Sequence, residues 1–149
     1  MDCDGVLTDG RLYFSETGES LKVFDVRDGY GLTLWHNAGF RSGIISGRDS
    51  PIVAKRARDL GIEFVWQGRE EKVAAFEELV AAAKVPRDEI AFIADDTIDL
   101  PLFPLVGFSA AVGDAHNDVT AAASLVTRAR GGRGAVRELI DLLLDSKRI

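Results

Sequence analysis

Short apolar runs alternate with amphipathic segments along most of the chain, and this alternation constrains the fold more than any other feature. The apolar runs lie at residues 42–45, 62–66, 90–93, 108–112 and 125–127. Helical periodicity lies at residues 28–38, 50–60, 70–83, near Leu100, at 114–122 and at 134–144. Strands that alternate with helices predict an α/β fold, a Rossmann-like parallel sheet with helices on both faces. Because the 149 residues contain no repeat, linker or low-complexity stretch, we predict a single domain spanning residues 1–149.

One segment departs from this pattern. In residues 10–24, Leu12 and Phe14 alternate with polar neighbours, turn-forming residues surround Gly18, and Leu21 and Val23 resume the alternation. A period of two on both sides of a turn predicts a β-hairpin that protrudes from the sheet.

Charge and cysteine content exclude several classes of function. The chain carries 18 Lys and Arg against 24 Asp and Glu, so its formal net charge is −6. An acidic chain lacks the basic excess on which nucleic-acid and anionic-membrane binding depend, so we expect neither partner. The single cysteine, Cys3, forms no intrachain disulfide, and no run of 18 apolar residues is present. We therefore expect a cytoplasmic protein.

Polar signals follow the predicted strands, where ligands bind in open α/β sheets. Asp2 and Asp4 lie two residues apart and precede Gly5. Such a pair can divide nucleophilic and proton-transfer roles, although an acidic turn has the same composition. Ser46, Gly47 and Arg48 end an apolar run and offer donors to a phosphate, although Ser46 could equally cap the next helix.

Two further signals are a lysine at the start of a helix and a pair of adjacent aspartates after a strand. Lys72 begins a predicted helix, where a lysine is usually a solvated surface charge. Asp95 and Asp96 directly follow a buried strand, and adjacent carboxylates there repel each other unless a cation lies between them. Mg²⁺ suits such sparse oxygen ligation, although an acidic helix N-terminus would also explain the pair. For Asp9 and Asp99 the sequence allows two interpretations, a role in the site or a local role in a turn or an ion pair.

Together these signals resemble the four motifs of the haloacid dehalogenase superfamily of aspartyl-phosphate phosphotransferases. Asp2 with Asp4, Ser46, Lys72, and Asp95 with Asp96 match the motifs in order. The phrases DGVLTDGRLYF, VFDVRDGYG, SGRDSPIVAKRARDLGI, ADDTIDLP and GGRGAVREL resemble its capless branch, typified by 3-deoxy-D-manno-octulosonate 8-phosphate phosphatase. The resemblance extends from Asp2 to the last helix.

The resemblance implies a role for each matching residue. Asp2 is the nucleophile and Asp4 the general acid and base, while Ser46 and Lys72 hold the transferring phosphoryl oxygens. Mg²⁺ is held by Asp2, Asp95 and the backbone carbonyl of Asp4. The residues implied to contact the substrate are Asp4, Asp25, Val26, Arg27, Asp28, Gly29, Ser46, Gly47, Arg48, Arg56, Lys72 and Asp96.

The implied substrate is a phosphorylated 2-keto sugar acid, namely 3-deoxy-D-manno-octulosonate 8-phosphate. Asp25 stands where this branch commonly has asparagine, and a carboxylate there repels an anionic sugar acid unless Arg27 offsets it. Ala94 replaces the usual glycine of the fourth motif. A nonulosonate 9-phosphate, such as an acylneuraminate, or another sugar phosphate is therefore an alternative.

The resemblance also implies a homotetramer with shared active sites, in which the 10–24 hairpin is a contact and residues 131–134 reach toward a neighbouring site. A non-catalytic oligomerisation module related to a sugar-nucleotide synthetase is another alternative, which the intact motifs disfavour. A phospho-accepting receiver domain is less favoured still, because its lysine comes last, whereas Asp95 and Asp96 follow Lys72 here. In this fold a buried strand leads to the nucleophile, yet only Met1 precedes Asp2, so we expect the native chain to begin upstream.

Overall fold

The computed structural model describes residues 1–147 and shows an α/β architecture. The strands are β1 (Tyr13–Ser15), β2 (Gly18–Leu21), β3 (Gly43–Ile45), β4 (Phe64–Trp66), β5 (Ala91–Ala94), β6 (Phe108–Ala111) and β7 (Leu125–Val126). The helices are α1 (Val26–Asn37), α2 (Pro51–Leu60), α3 (Lys72–Ala83), α4 (Asn117–Ala122) and α5 (Ala135–Ser146), with 3₁₀ segments at Arg87–Glu89 and Thr97–Leu105. Strands and helices alternate after the hairpin as the sequence predicts, so the predicted fold class is confirmed.

The central sheet consists of two parallel parts joined through the first two residues. β3 pairs with β4, and β5 pairs with β6, which pairs with β7, all in parallel. Between the two parts, Met1 donates from its nitrogen to the Gly43 carbonyl at 3.0 Å and accepts from Ile45 N–H at 3.0 Å. Asp2 N–H donates to the Ile93 carbonyl at 3.1 Å. Asp2 therefore lies between β3 and β5, at the carboxyl ends of both strands.

Two hydrophobic cores cover the two faces of this sheet. Ile44 and Ile93 pack in one core with side chains of α1, α2 and α5, whereas their neighbours Ile45 and Phe92 pack in the other with side chains of α3 and the 97–105 segment. Successive side chains of a strand point to opposite faces, so each strand supplies both cores. Helices on both faces thus follow from the continuous apolar composition of the strands.

A cavity of about 560 Å³ lies beside Met1, between β3 and β5. Its walls are mostly apolar and come from both cores, including Leu32, Phe76, Leu79 and Ile140. Along this cavity β3 and β5 are not hydrogen-bonded to each other, and the bonds made by Met1 and Asp2 join the two parts beside it.

The hairpin faces the opposite way from an ordinary amphipathic hairpin. β1 and β2 pair antiparallel, but Leu12, Phe14, Leu21 and Val23 are 48–60% exposed. The intervening Lys22 is buried, with a side chain that is 1% exposed. The alternation predicts the strands correctly, but these apolar residues lie outward, whereas Glu19 and Lys22 face the protein. Within residues 1–147 this hairpin is the insertion that follows the first loop, and no cap domain is present.

Two predicted helices differ in their bounds. The predicted 114–122 helix begins only at Asn117, because the His116 ring accepts from the Asp118 N–H and caps it. The short helix near Leu100 is a 3₁₀ segment that contains Pro101 and Pro104, which lack the N–H groups that an α-helix needs. Across residues 1–147, no helix is long and apolar enough to cross a bilayer.

The start of α5 is held by a carboxylate from α1. Asp28 is 1% exposed, and its two oxygens accept from the Gly134 N–H at 3.2 Å and the Arg137 N–H at 2.9 Å. These N–H groups have no partner within the helix, so Asp28 satisfies them across the core. Burial raises the pKa of Asp28, and the two hydrogen bonds oppose that rise.

We expect Asp28→Asn to lower the free energy of unfolding by about 1–3 kcal/mol, because the amide NH₂ would face a backbone donor and leave it unsatisfied. Urea unfolding followed by circular dichroism measures the change. Asp141→Asn is the matched control, since it breaks only the partly exposed ion pair with Arg137 on α5, and such pairs contribute about 0–1 kcal/mol. Equal effects of the two substitutions would contradict the assignment.

Candidate active site

The first acidic loop forms one tight turn that carries Asp2 and Asp4. The N–H groups of Val6, Leu7 and Thr8 all point to the Cys3 carbonyl at 2.9–3.3 Å. Gly5 has a φ of +83°, and a Cβ there would lie 1.9 Å from Asp95 Oδ2. Glycine is therefore required at this position, because its missing side chain lets the loop lie directly on Asp95.

Three carboxylates converge beside this loop. Single oxygens of Asp2, Asp95 and Asp99 all lie within 4.8 Å of one another. The ammonium of Lys72, on the first turn of α3, donates to Asp2 Oδ1 at 2.9 Å and to Asp99 Oδ1 at 2.7 Å. Lys72 is buried, so the surface role that a lone lysine usually has does not apply.

The electrostatics of this cluster favour a bound cation. Burial and the neighbouring Asp2 raise the pKa of Asp95 to about 8, and burial with the Asp2 charge raises the pKa of Asp99 to about 6 despite Lys72. Burial works to lower the pKa of Lys72, but the charges of Asp2 and Asp99 outweigh it and raise the pKa. Asp99 Oδ2 is buried without a hydrogen-bond partner. One ammonium does not balance three carboxylates, and the oxygen-only donor set fits Mg²⁺.

We expect the metal-free protein to lose stability as the pH rises from about 4 to about 6, above which the buried Met1 ammonium, whose pKa burial lowers to about 6, opposes further loss. The pKa values of Asp95 (about 8) and Asp99 (about 6) in the folded state lie above the ordinary 3.8, so the folded state holds protons that the unfolded chain releases. Mg²⁺ binds the deprotonated carboxylates and should remove this loss. Melting temperatures between pH 5 and 8, in EDTA and in Mg²⁺, measure both effects. Asp95→Asn should flatten the metal-free profile, and an unchanged profile would contradict the cause.

A second polar cluster surrounds the Asp4 side chain. Lys22 Nζ lies 2.5 Å from Asp4 Oδ1 and 2.9 Å from Glu19 Oε1. Arg48 Nε lies 3.7 Å from Asp4 Oδ2, and Arg48 Nη2 lies 3.6 Å from Glu19 Oε1. Ser50 Oγ donates to Glu19 Oε2 at 2.9 Å. The hairpin is thus joined both to the first loop and to the loop after β3.

For Glu19 and Lys22, burial and the charged partners shift the side-chain pKa in opposite directions. Burial alone would raise the pKa of Glu19, but hydrogen bonds from Lys22 and Ser50 outweigh it and the pKa is lowered. Burial alone would lower the pKa of Lys22, but Asp4 and Glu19 outweigh it and the pKa is raised. Both groups are therefore stabilised in their charged forms.

Ser46 and Gly47 lie at the carboxyl end of β3, as predicted. Ser46 is buried, and its Oγ accepts from the Arg48 N–H at 3.3 Å. Ser46 does not cap α2, because the N-cap position is occupied by Ser50. The alternative of a helix cap at Ser46 is therefore wrong.

The remaining predicted substrate contacts lie around the start of α1. Asp25 caps α1 and is paired with Arg27 at 2.8 Å, which holds the pKa of Asp25 below its ordinary value. Arg27 therefore offsets the carboxylate that the sequence flags as repulsive. Arg56 lies over Gly29, where an added Cβ would come within 2.7 Å of Nη2, and Val26 is 79% exposed.

Two residues that the sequence predicts as substrate contacts instead accept hydrogen bonds from the protein's own backbone. Asp28 is occupied with α5 as described above, and Asp96 is exposed and accepts from the Thr97 N–H at 2.7 Å as the cap of the 3₁₀ segment. The side-chain oxygens of Asp4 belong to the hairpin cluster, and the metal-ligating role that the resemblance implies for its backbone carbonyl stays a prediction.

Sequence reasoning left Asp99 open and did not single out Glu19 or Lys22. The signal for Asp99 is its position inside the apolar stretch Thr97–Leu105, where a buried carboxylate needs a cationic partner. Lys22 has a comparable sequence signal, because this charged residue lies between the apolar Leu21 and Val23 of the hairpin. Its side chain can be assigned to the site only once the orientation of the hairpin is known.

That residues 131–134 reach toward a neighbouring site stays a prediction. Within the chain itself, the first two of these residues pack on the loop that carries Asp2 and Asp4. Gly132 N–H donates to the Val6 carbonyl at 2.8 Å. A Cβ on Gly131 would lie 1.7 Å from the Gly5 carbonyl oxygen, and one on Gly132 would lie 2.3 Å from the Thr8 carbonyl carbon. The close approach of two backbones selects glycine here, and the segment completes the first acidic loop.

Comparison with known sequences matches residues 38–139 to the haloacid dehalogenase-like hydrolase family. The 3-deoxy-D-manno-octulosonate 8-phosphate phosphatase of Yersinia pestis is 45% identical over 143 residues, which cover 96% of this chain and 76% of that protein. The phosphatase of the same name from Escherichia coli K12 is 44% identical over 144 residues, which cover 97% of this chain and 77% of that protein.

Solved structures give the same result. The cobalt-bound deoxy-D-mannose-octulosonate 8-phosphate phosphatase of Haemophilus influenzae superposes with a TM-score of 0.96 at 43% identity, covering 98% of this chain and 85% of that one. The 3-deoxy-D-manno-octulosonate 8-phosphate phosphatase of Moraxella catarrhalis, solved with magnesium, phosphate and the sugar acid KDO, superposes with a TM-score of 0.93 at 35% identity. That match covers 97% of this chain and 83% of the Moraxella chain.

Proposed function

Because the chain belongs to the haloacid dehalogenase-like hydrolases, we propose that it is a Mg²⁺-dependent phosphomonoesterase that acts through an aspartyl-phosphate on Asp2. The observation that carries the proposal is the cluster formed by the buried Asp2 and Asp99 with the half-buried Asp95, in which Lys72 donates to Asp2. A carboxylate nucleophile held beside a fixed ammonium suits attack on a phosphate that is itself negatively charged.

The reaction proceeds in two displacements at phosphorus. A carboxylate oxygen of Asp2 forms a bond to phosphorus while the bond to the sugar oxygen breaks, and Asp4 supplies the proton that this leaving oxygen takes. Asp4 then removes a proton from water, whose oxygen attacks the same phosphorus and releases the Asp2 carboxylate and inorganic phosphate. Lys72 keeps its charge beside Asp2 throughout, where negative charge spreads over the phosphoryl oxygens.

Asp2, Asp95 and the backbone carbonyl of Asp4 would hold Mg²⁺, with Asp99 beside them. The ion supplies charge neutralisation for the carboxylates and for the phosphoryl oxygens. The orphaned Asp99 oxygen and the raised pKa values of Asp95 and Asp99 support a cation at this position. The Moraxella catarrhalis phosphatase is a relative that was solved with magnesium.

The substrate is a phosphorylated 2-keto sugar acid, 3-deoxy-D-manno-octulosonate 8-phosphate, whose hydrolysis is a step of lipopolysaccharide biosynthesis. Relatives of that name share 44–45% of their residues with this chain along nearly its whole length. We assign Arg48 and Arg56 to the sugar-acid portion, because guanidinium groups bind carboxylates well. The pairing of Asp25 with Arg27 removes the repulsion that an isolated carboxylate would cause.

A phosphate-release assay over a panel of phosphorylated sugar acids tests the substrate. The panel contains the octulosonate 8-phosphate, a nonulosonate 9-phosphate, a neutral hexose 6-phosphate and p-nitrophenyl phosphate, ranked by kcat/KM with and without Mg²⁺. We expect the octulosonate to rank first and EDTA to abolish the activity. If the nonulosonate 9-phosphate ranks first, it is the substrate in place of the octulosonate. If no compound gives Mg²⁺-dependent phosphate release, a non-catalytic module is favoured.

We also propose a cytoplasmic homotetramer that uses the hairpin as its contact. The outward-facing Leu12, Phe14, Leu21 and Val23 support it, because clustered exposed apolar side chains commonly mark an interface. Light scattering should give the mass of four chains for the wild type and a smaller species for Phe14→Ser. A fully active monomer would contradict shared active sites.

A further inference from the structure

The second polar cluster contains residues to which none of the four motifs assigns a role. Lys22 and Glu19 lie on the hairpin, away in sequence from the strand ends that supply Asp2, Ser46, Lys72 and Asp95. Their side chains nevertheless point inward, and the Lys22 side chain is 1% exposed. Burial of an ammonium costs free energy unless its partners compensate for it, so the Lys22 side chain needs carboxylate partners where it lies.

Lys22 contacts one particular atom of the proposed acid. Its Nζ lies 2.5 Å from Asp4 Oδ1, whereas the other oxygen, Oδ2, has Arg48 Nε at 3.7 Å, beyond hydrogen-bonding distance. One Asp4 oxygen is therefore held firmly and the other is left with room to exchange a proton. Because both oxygens are bonded to Cγ in one rigid plane, holding Oδ1 also restricts the direction in which Oδ2 points.

The cluster holds Lys22 in place in turn. Glu19 lies 2.9 Å from Lys22 Nζ and accepts from Ser50 Oγ at 2.9 Å, which ties the hairpin to the N-terminus of α2. Two carboxylates, Asp4 and Glu19, face two cations, Lys22 and Arg48, so the charges balance within the cluster. The cluster therefore differs from the Asp2, Asp95 and Asp99 group, which has an excess of negative charge.

We propose that Lys22, anchored by Glu19, is a positioning residue that holds Asp4 Oδ1 so that Oδ2 delivers the proton to the leaving oxygen. The proposal rests on the phosphomonoesterase function given above. The hairpin thereby has two faces with separate roles, an outer apolar face and an inner face that orients the general acid.

Dependence on the leaving group separates this role from a general structural one. A poor leaving group such as a sugar alkoxide needs the proton, whereas p-nitrophenolate departs without it. We use kcat/KM because it reports the steps up to the first phosphoryl transfer and is insensitive to hydrolysis of the aspartyl-phosphate. For Lys22→Met we expect kcat/KM to fall by about 10²-fold with the sugar phosphate and by about threefold or less with p-nitrophenyl phosphate.

A series of aryl phosphates with graded leaving-group acidity extends the test. The slope of log kcat/KM against leaving-group pKa should be steeper for Lys22→Met than for the wild type, and Lys22→Arg should restore most of the wild-type slope. Lys55→Met is the matched control, because Lys55 forms an exposed pair with Asp59 on α2, and it should leave the slope unchanged. Circular dichroism and the melting temperature establish that each variant is folded.

A uniform fall with every substrate, at an unchanged slope, would overturn the proposal and indicate a structural role. If Lys22→Met does not fold, Glu19→Gln carries the same test, since it weakens the anchor of Lys22 while retaining the cation, and a steeper slope is again expected. If the wild type itself hydrolyses none of these phosphates, the proposed function fails, and that result is distinct from an unchanged slope in an active enzyme.

Discussion

Asp2→Asn should abolish phosphate release, with kcat falling by about 10⁴-fold or more. The amide has nearly the same size as the carboxylate but is a poor nucleophile, so no aspartyl-phosphate can form. Release of inorganic phosphate from the octulosonate 8-phosphate in Mg²⁺ measures the loss. Acid quenching should trap a phosphorylated protein in the wild type and none in the variant.

Asp9→Asn is the matched control for this change. Asp9 lies in the same loop, and its carboxylate accepts from the Arg11 N–H at 3.1 Å, away from the carboxylate cluster. We expect this variant to keep its activity within about threefold, because the asparagine oxygen can still accept from the Arg11 N–H. Phosphate release by Asp2→Asn within tenfold of the wild type would refute the assignment of Asp2 as the nucleophile.

Lys72→Met should lower both activity and stability. Lys72 donates to Asp2 and Asp99 with a side chain that is 4% exposed, so its removal leaves these two buried carboxylates without their ammonium. Breaking a buried ion pair in this way costs about 3–5 kcal/mol of folding free energy in the absence of metal. We expect kcat to fall by about 10²–10³-fold, because the charge on the transferring phosphoryl oxygens is no longer balanced.

Mg²⁺ distinguishes the two effects of Lys72→Met. The ion should restore much of the melting temperature, since it balances the carboxylates, but it should not restore kcat. Lys84→Met, at the exposed C-terminal end of the same helix, is the control and should change neither quantity. A variant with wild-type stability in EDTA would contradict the compensating role of Lys72.

The sequence predicts the strand ends well because apolar runs and polar residues that follow them are local features. Ser46 and Asp95 follow apolar runs in this way, whereas Asp2, which has no apolar run before it, and Lys72, which begins a helix, are assigned only through the family resemblance. The parallel topology explains why Ser46 and Asp95 lie at one edge of the sheet. Lys22 could not be found in this way, because a period of two shows that side chains alternate but not which set faces the protein. Asp28 shows the same limit, since its partners lie 106 and 109 residues away.

The contact between Asp28 and α5 has a consequence for folding. Gly131 and Gly132, directly before α5, pack on the loop that carries Asp2 and Asp4, so the first and last parts of the sequence meet at the site. Contacts of such sequence separation form slowly, because a long chain segment must first be closed into a loop. During refolding the sheet and α3 can assemble while this loop is still open. Enzyme activity should therefore return only with docking of α5, later than most of the helical signal.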